Sequence, residues 1–90
     1  MKQITFWGNK NVIGEQIASI RQKKNMSQSE LAAKMQLLNI NIDQQMISKI
    51  EKNQRQVTDY EFIGFSLCLN VSLNELIGDF KNKFIQGSVN

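Results

Sequence analysis

Three copies of one four-residue pattern constrain the fold of this chain more than any other feature. Residues 27–30, 58–61 and 72–75 each begin with Ser or Thr and end with Glu. In such a capping box the hydroxyl accepts a hydrogen bond from the amide of the glutamate. The glutamate side chain in turn accepts one from the amide of the Ser or Thr. The sequence therefore predicts three helix starts.

Two further helix starts follow from Asn11 and Asp43, because both side chains can accept backbone hydrogen bonds at an N-cap. After each start, apolar residues recur at helical spacing, as in Ile13, Ile17 and Ile20. Five short amphipathic helices are therefore expected, which is typical of a small all-α domain.

The fourth predicted helix and the chain ends complete this outline. Helical spacing in the fourth segment predicts one apolar stripe of Phe62, Ile63, Ser66 and Leu69. We expect the helical domain to span residues 11–78. Residues 1–10 are then an N-terminal extension, and residues 79–90 are a C-terminal tail with a possible short helix or dimer contact.

Composition excludes several classes of protein. The chain has 90 residues with no histidine and a single cysteine, so an intramolecular disulfide and the usual zinc sites are excluded. No nucleophile, base and orienting group occur as a recognisable set, and no enzyme activity, metal or cofactor is expected. No apolar run approaches the ~20 residues of a membrane span, and we expect a cytoplasmic protein.

The charge is unevenly distributed along the chain. Residues 1–55 contain nine basic and four acidic side chains, whereas acidic residues exceed basic ones in residues 56–90, within a net charge of +3. A basic region of this kind favours contact with a polyanion, although a solvated basic face would give the same excess.

Five blocks of the sequence carry a resemblance to a known family. They are residues 13–17, 20–21, 26–32, 47–53 and 71–76, in that order. Together they resemble the Cro/lambda-repressor (XRE-type) helix-turn-helix family of DNA-binding regulators. The resemblance implies a five-helix lambda-repressor-like domain whose third helix enters the major groove of double-stranded DNA.

The third helix has the side chains that base reading requires. Ile47 and Ile50 can anchor one face, and polar groups remain on the other. Glutamine can bridge the N6 and N7 atoms of adenine, and a methionine can touch a thymine methyl. The expected base-contacting residues are Gln44, Gln45, Ser48 and Met46. Ordinary solvated side chains remain the alternative.

Phosphate contacts are expected around this helix. The first turn of a helix attracts phosphate, and lysines near the third helix add positive charge. In the resembled family the glutamine of the Ser-Gln pair and the basic turn after the third helix contact the DNA backbone. The expected phosphate-contacting residues are Gln28, Lys49, Lys52, Asn53 and Arg55.

Two charged residues have a structural role in the resembled family. There, the positions of Arg21 and Glu51 form a salt bridge between the first and third helices. A planar guanidinium suits a carboxylate that accepts two hydrogen bonds, so we expect Arg21 to position the third helix. Unpaired surface charges are the alternative.

The sequence departs from the family pattern between the second and third helices. Seven residues, 36–42, separate Met35 from Asp43, whereas the usual turn has about three or four. We expect part of this stretch to extend the second helix. Asn39 would then adopt the left-handed conformation, and Ile40 or Ile42 would enter the core.

Together these features predict a sequence-specific transcriptional regulator, expected to act as a repressor that binds an inverted-repeat operator as a homodimer. The expected dimer contacts are residues 1–10 and 79–90. The alternative is an antitoxin or antagonist of the same fold, which would bind a protein partner through its N- or C-terminal end.

Overall fold

The computed structural model describes residues 8–78, and these form five α-helices. The expected all-α class and the number of helices are confirmed. Predictions for residues 1–7 and 79–90 lie outside the described residues. The helices are α1 (Gly14–Lys23), α2 (Gln28–Leu37), α3 (Gln44–Glu51), α4 (Asp59–Leu69) and α5 (Leu73–Ile77).

All three capping boxes form as the sequence predicts. In α2, α4 and α5 the N-cap hydroxyl accepts from the amide of the glutamate, and that glutamate accepts from the amide of the N-cap residue. Asp43 caps α3 by accepting from the amide of Met46 at 2.8 Å. These contacts satisfy backbone donors that a helix start otherwise leaves unpaired.

The prediction that Asn11 is the N-cap of α1 is wrong. The N-cap is Ile13, whose side chain cannot accept a hydrogen bond. Asn11 lies two residues earlier, and its Oδ1 accepts from the amides of Ile13 at 3.2 Å and Gly14 at 2.7 Å. The Asn11 side chain therefore satisfies backbone donors at the start of α1 from a position outside the helix.

Four asparagines end the first four helices. Asn25, Asn39, Asn53 and Asn70 all have φ between 55° and 61°, in the left-handed region. In each case the amide of the following residue donates to the carbonyl five residues back, as in Ile40 to Met35 at 3.1 Å. This is the Schellman motif, in which asparagine occupies the position that glycine fills most often.

Within residues 8–78, twelve buried apolar residues form one core between the helices. α1, α2 and α4 each contribute at least two of them, α3 contributes Ile47 and Ile50, and α5 contributes Leu76. Ile42 joins the core from the turn before α3. Met26, Ile40 and Val71 pack partly against it, each directly after a left-handed asparagine. The residue after each of these three asparagines therefore connects the end of a helix to the core.

The buried face of α4 differs from the predicted stripe. Ser66 and Leu69 are buried as expected. Ile63 is 51% exposed, however, and the fully buried Phe65 lies outside the predicted stripe. Glu61, a charged residue outside the predicted stripe, is also buried and only 2% exposed. The apolar pattern alone did not mark it as a core position.

Glu61 is stabilised by several donors. Its two carboxylate oxygens accept from Nη1 and Nη2 of Arg55 at 2.9 and 3.0 Å, and Oε1 also accepts from the Thr58 amide at 3.0 Å. Burial raises the pKa of Glu61, but the hydrogen bonds from Arg55 and Thr58 outweigh it and hold the pKa below its usual value. The Glu61 side chain is therefore ionised in the folded protein at neutral pH.

We predict that Glu61→Gln lowers the free energy of unfolding at neutral pH by about 2 kcal/mol, because Arg55 loses its bidentate partner. A carboxylate with a depressed folded pKa stabilises above its unfolded pKa of about 4.3, and that contribution disappears as pH falls through the folded value. The difference from wild type should therefore shrink in acid. Urea denaturation at several pH values measures it.

Glu30→Gln is the matched control. Glu30 holds the same capping-box position in α2, but it is exposed. Its replacement should cost clearly less than that of Glu61. Equal losses for the two variants would contradict the importance of the Arg55 pair.

Candidate nucleic-acid interface

α2 and α3 form a helix-turn-helix unit with a long turn. α3 packs against both α2 and α1. Ile47 and Ile50 anchor it, since both are fully buried. With only eight residues, α3 is too short to be stable alone, so its position is set by these neighbours.

The lengthened turn is ordered by specific contacts. Asn39 takes the predicted left-handed conformation, with φ of 61°. Nε2 of Gln36 donates to the carbonyl oxygen of Ile42 at 3.1 Å. Ile42 is fully buried and Ile40 is half-buried against the core. The additional residues therefore fix the start of α3 instead of loosening it.

A chain of hydrogen bonds connects Glu51, the last residue of α3, to the exposed start of the helix. Nε and Nη2 of Arg21 donate to the two carboxylate oxygens of Glu51 at 2.8 and 3.0 Å. Nε2 of Gln28 donates to Oε1 of Glu51 at 2.9 Å. Nε2 of Gln44 then donates to Oε1 of Gln28 at 2.8 Å. Side chains from α1, α2 and α3 are joined in one network.

The carboxylate determines how both amides point. Glu51 can only accept, so Gln28 must present its NH₂ group to it and its oxygen to Gln44. Gln44 must in turn present its NH₂ group to Gln28. Its own Oε1 and its second N–H then remain as an acceptor and donor pair at the exposed start of α3.

Arg21 forms the ion pair with Glu51 that the sequence led us to expect. Both side chains are largely buried, and Nη1 of Arg21 also donates to the carbonyl oxygen of Met26 at 2.8 Å. The hydrogen bond to Glu51 raises the pKa of Arg21, so the guanidinium stays charged. A bidentate, partly desolvated pair of this kind fixes orientation as well as charge.

The remaining predicted contact residues on α3 divide by exposure. Gln45 and Lys49 are exposed on α3, as is Lys52 directly after it. Ser48 is half-buried. Met46 is half-buried and packs partly against the core, so a thymine contact by Met46 stays a prediction.

Asn53 and Arg55 are engaged within the fold. Oδ1 of Asn53 accepts from the amides of Lys10 at 2.8 Å and Asn11 at 3.2 Å, and its Nδ2 donates to Oδ1 of Asn9 at 2.7 Å. The guanidinium of Arg55 pairs with Glu61. Phosphate contacts by Asn53 and Arg55 stay predictions.

The segment 9–11 clamps the C-terminal end of α3. Besides the contacts of Asn53, Nδ2 of Asn11 donates to the carbonyl oxygens of Ile50 at 2.9 Å and Arg55 at 2.8 Å. We call the contacts among Asn9, Asn11, Asn53 and these two carbonyls the asparagine clamp. Gly14 allows this approach, since a Cβ there would collide with the Ile50 carbonyl oxygen.

Sequence reasoning missed the asparagine clamp and the partner of Arg55. Asn11 and Asn53 are 42 residues apart, and nothing local in the sequence links them. The partner of Arg55 was within reach, because Glu61 follows six residues later. A buried charge requires a partner, but the apolar pattern gave no sign that Glu61 is buried.

Other kinds of site find no support in residues 8–78. These residues contain no group of three His, Cys, Asp or Glu side chains placed to bind a metal ion. No helix among them has the length and apolar character to span a membrane. A cleft of about 520 Å³ lies between segments 9–13 and 56–62, and its lining is mainly apolar.

Comparison with known proteins agrees with this geometry. A family model described as helix-turn-helix matches residues 17–76, which is most of the described region. The chain belongs to the XRE-type helix-turn-helix family. As an XRE-type protein it is a DNA-binding transcription regulator. The match contains α2, the turn and α3 completely.

A solved structure shows the same fold. The restriction-modification controller protein C.AhdI from Aeromonas hydrophila is 23% identical, with a TM-score of 0.64. The match covers 77% of this XRE-type chain and 94% of C.AhdI. No curated protein matches the sequence. The likeness to C.AhdI supports the lambda-repressor-like arrangement of the helices.

Arg21→Lys tests the hydrogen-bond network of this XRE-type domain. Lysine keeps the charge but cannot donate bidentately to Glu51 while also reaching the Met26 carbonyl. We predict a loss of about 1–2 kcal/mol in unfolding free energy, and altered NMR shifts for the side-chain amides of Gln28 and Gln44. Lys23→Ala, an exposed change in the same helix, is the control. Unchanged amide shifts in Arg21→Lys would refute the network.

A pair of glycine substitutions tests the asparagine clamp. Asn39 and Asn53 have the same left-handed backbone, which glycine adopts without strain, but only Asn53 holds segment 9–11. We predict that Asn39→Gly is neutral within roughly 0.5 kcal/mol, whereas Asn53→Gly destabilises by about 2 kcal/mol. Thermal denaturation of both variants measures the difference. Similar stabilities would show that the clamp contributes little.

Proposed function

We propose that this protein is a sequence-specific transcriptional repressor that inserts α3 into the major groove of an inverted-repeat operator. The proposal rests chiefly on one observation: Gln44 at the exposed start of α3 is oriented by a network that ends on the ion pair of Arg21 and Glu51. A reading side chain held in place before binding loses less entropy when DNA arrives.

Gln44 and Gln45 are the proposed base-reading residues. Orientation of the Gln44 amide by Gln28 leaves one donor and one acceptor, which is the pair needed to bridge N6 and N7 of adenine. Gln45 is exposed next to it. A well-formed bidentate contact contributes about 1–3 kcal/mol of discrimination between bases. Ser48 and Met46 are proposed to make secondary base contacts.

Gln28, Lys49 and Lys52 are the proposed phosphate contacts. Lys49 lies in the last turn of α3, Lys52 directly follows it, and both are exposed. Gln28 is at the first position of α2, where unpaired amides favour an anion. Arg55 and Asn53, which were also expected to contact phosphate, hold α4 and segment 9–11 in place. Phosphate contacts position the protein without reading sequence.

A homodimer is proposed to bind the operator. One α3 reads only a few base pairs, so two copies on half-sites one helical turn apart, about 34 Å, supply specificity. Occupation of the operator would then block polymerase sterically. C.AhdI, described as a controller protein, is consistent with a regulatory role for this fold.

The alternative of an antitoxin or antagonist receives less support. A protein-binding α3 would expose apolar side chains, whereas its exposed positions include Gln44, Gln45 and Lys49. These polar and charged side chains can contact base edges and phosphates, whereas the core of a protein–protein interface is depleted of charged residues.

The first test of the proposal separates base reading from phosphate contact. Duplexes enriched from a random library define the preferred site, and fluorescence anisotropy measures affinity. We predict that Gln45→Ala lowers affinity for the selected site roughly 5- to 150-fold, with little change for random duplex. Lys52→Ala should weaken both equally and reduce the salt slope by about one.

Lys23→Ala is the charge-matched control for Lys52→Ala, because Lys23 is exposed on α1 outside the helix-turn-helix unit. It should leave affinity nearly unchanged. No enrichment from the library would reject sequence-specific binding. Identical effects of Gln45→Ala and Lys52→Ala would reject the division between reading and positioning residues.

A further inference from the structure

The lengthened turn between α2 and α3 presents a polar side chain between two apolar ones. The turn consists of residues 38–43, whereas about three or four residues usually connect the two helices of this motif. Ile40 is half-buried against the core and Ile42 is fully buried, but Asn41 between them is exposed. The side chain of Asn41 therefore points away from the core, into solvent.

The backbone around Asn41 is fixed on both sides. The amide of Ile42 donates to the carbonyl oxygen of Ile40 at 2.9 Å, which closes a three-residue γ-turn with Asn41 at its centre. Nε2 of Gln36 donates to the carbonyl oxygen of Ile42 at 3.1 Å. The amide of Ile40 donates to the carbonyl oxygen of Met35 at 3.1 Å. A side chain on a backbone that is already ordered loses less entropy when it binds a partner.

The side-chain amide of Asn41 is available for an external partner. Among residues 8–78 it has no hydrogen-bond partner, in contrast to the amides of Asn11 and Asn53 in the asparagine clamp. It has one acceptor oxygen and two N–H donors. Asparagine uses this pair of groups to contact N6 and N7 of adenine bidentately in the major groove.

Asn41 lies close to the proposed base-reading residues. Asp43 is the N-cap of α3 and Gln44 is its first residue, so Asn41 precedes Gln44 by three positions. Three residues of chain span at most about 10 Å. Successive phosphates on one DNA strand are about 3.4 Å apart along the helix axis. With α3 in the major groove, Asn41 is therefore within about three base pairs of the base that Gln44 contacts.

We infer that Asn41 is a further base-reading residue, which recognises an adenine beside the bases contacted by Gln44 and Gln45. The inference rests on the proposed function, because it requires α3 to lie in the major groove. The lengthened turn then determines specificity in addition to fixing the start of α3. A domain with the usual shorter turn lacks these additional residues, so this contact distinguishes the present chain from the common pattern.

Selection from a random duplex library by the wild type and by Asn41→Ala tests this inference. We expect the variant to lose the preference for adenine at one base pair and to keep the other preferences. Its affinity for the wild-type site should fall roughly 5- to 150-fold. Replacing that adenine should then cost the variant nothing further, because side chain and base form one contact. Circular dichroism verifies the fold, and Asn41→Ser is the second variant if Asn41→Ala unfolds.

Asn41→Asp tests the chemistry of the contact. An aspartate has only acceptors, and it can accept a hydrogen bond from N4 of cytosine. We expect the preference at the same base pair to change from adenine to cytosine. The added negative charge weakens binding to every duplex, so competition between duplexes that differ at this base pair measures the change in preference. A variant that still prefers adenine there would contradict the proposed contact.

Asn39→Gly is the matched control. Asn39 is an exposed asparagine of the same turn, and glycine retains its left-handed backbone. This variant should keep every base preference of the wild type. An Asn41→Ala protein with wild-type base preferences would overturn the inference, even if it bound all duplexes more weakly. If Gln45→Ala still relaxed its own base pair, the proposed function would stand. No enrichment by the wild type would reject both.

Discussion

The carboxylate of Glu51 is the group on which the orientation of the third helix depends. It accepts hydrogen bonds from Arg21 of α1 and Gln28 of α2 while itself belonging to α3. Three helices therefore meet at one acceptor. Because a carboxylate cannot donate, it also determines the direction of the amides of Gln28 and Gln44. A partly buried charge thus controls which atoms α3 offers at the surface.

Neutral groups also hold the C-terminal end of α3, next to Glu51. The asparagine clamp joins segment 9–11 to the carbonyl oxygens of Ile50 and Arg55 and to the side chain of Asn53. The ion pair and the clamp both hold the C-terminal end of α3, and the network reaches the start of the helix through Gln44. The eight-residue helix thereby gains a fixed direction. The close approach at Gly14 shows how tightly α1 packs against this end.

Local sequence signals predicted the fold well. The capping boxes and Asp43 identified four of five helix starts, and Asn39 was identified as the left-handed residue of the long turn. These signals succeed because donor and acceptor lie within three or four residues. The ion pair of Arg21 and Glu51, 30 residues apart, was anticipated only through the family resemblance.

The missed features share a physical cause. Partners of Asn11 and Asn53 are set by how the helices pack, and one sequence contains no record of that packing. The burial of Glu61 was missed because its capping-box role does not indicate burial and the apolar pattern takes no account of charged residues; Arg55 compensates this burial. Polar residues whose partners lie outside the local capping patterns are therefore where pattern reasoning fails in this chain.

The asparagine clamp also has a consequence for the order of folding. Asn9 and Asn53 are separated by 44 residues, so their contact closes a long loop and costs chain entropy. The capping boxes and Schellman turns, in contrast, close within a few residues and can form early. Segment 9–11 should therefore join last and open first during native-state fluctuations. The end of α3 would then loosen before the core does.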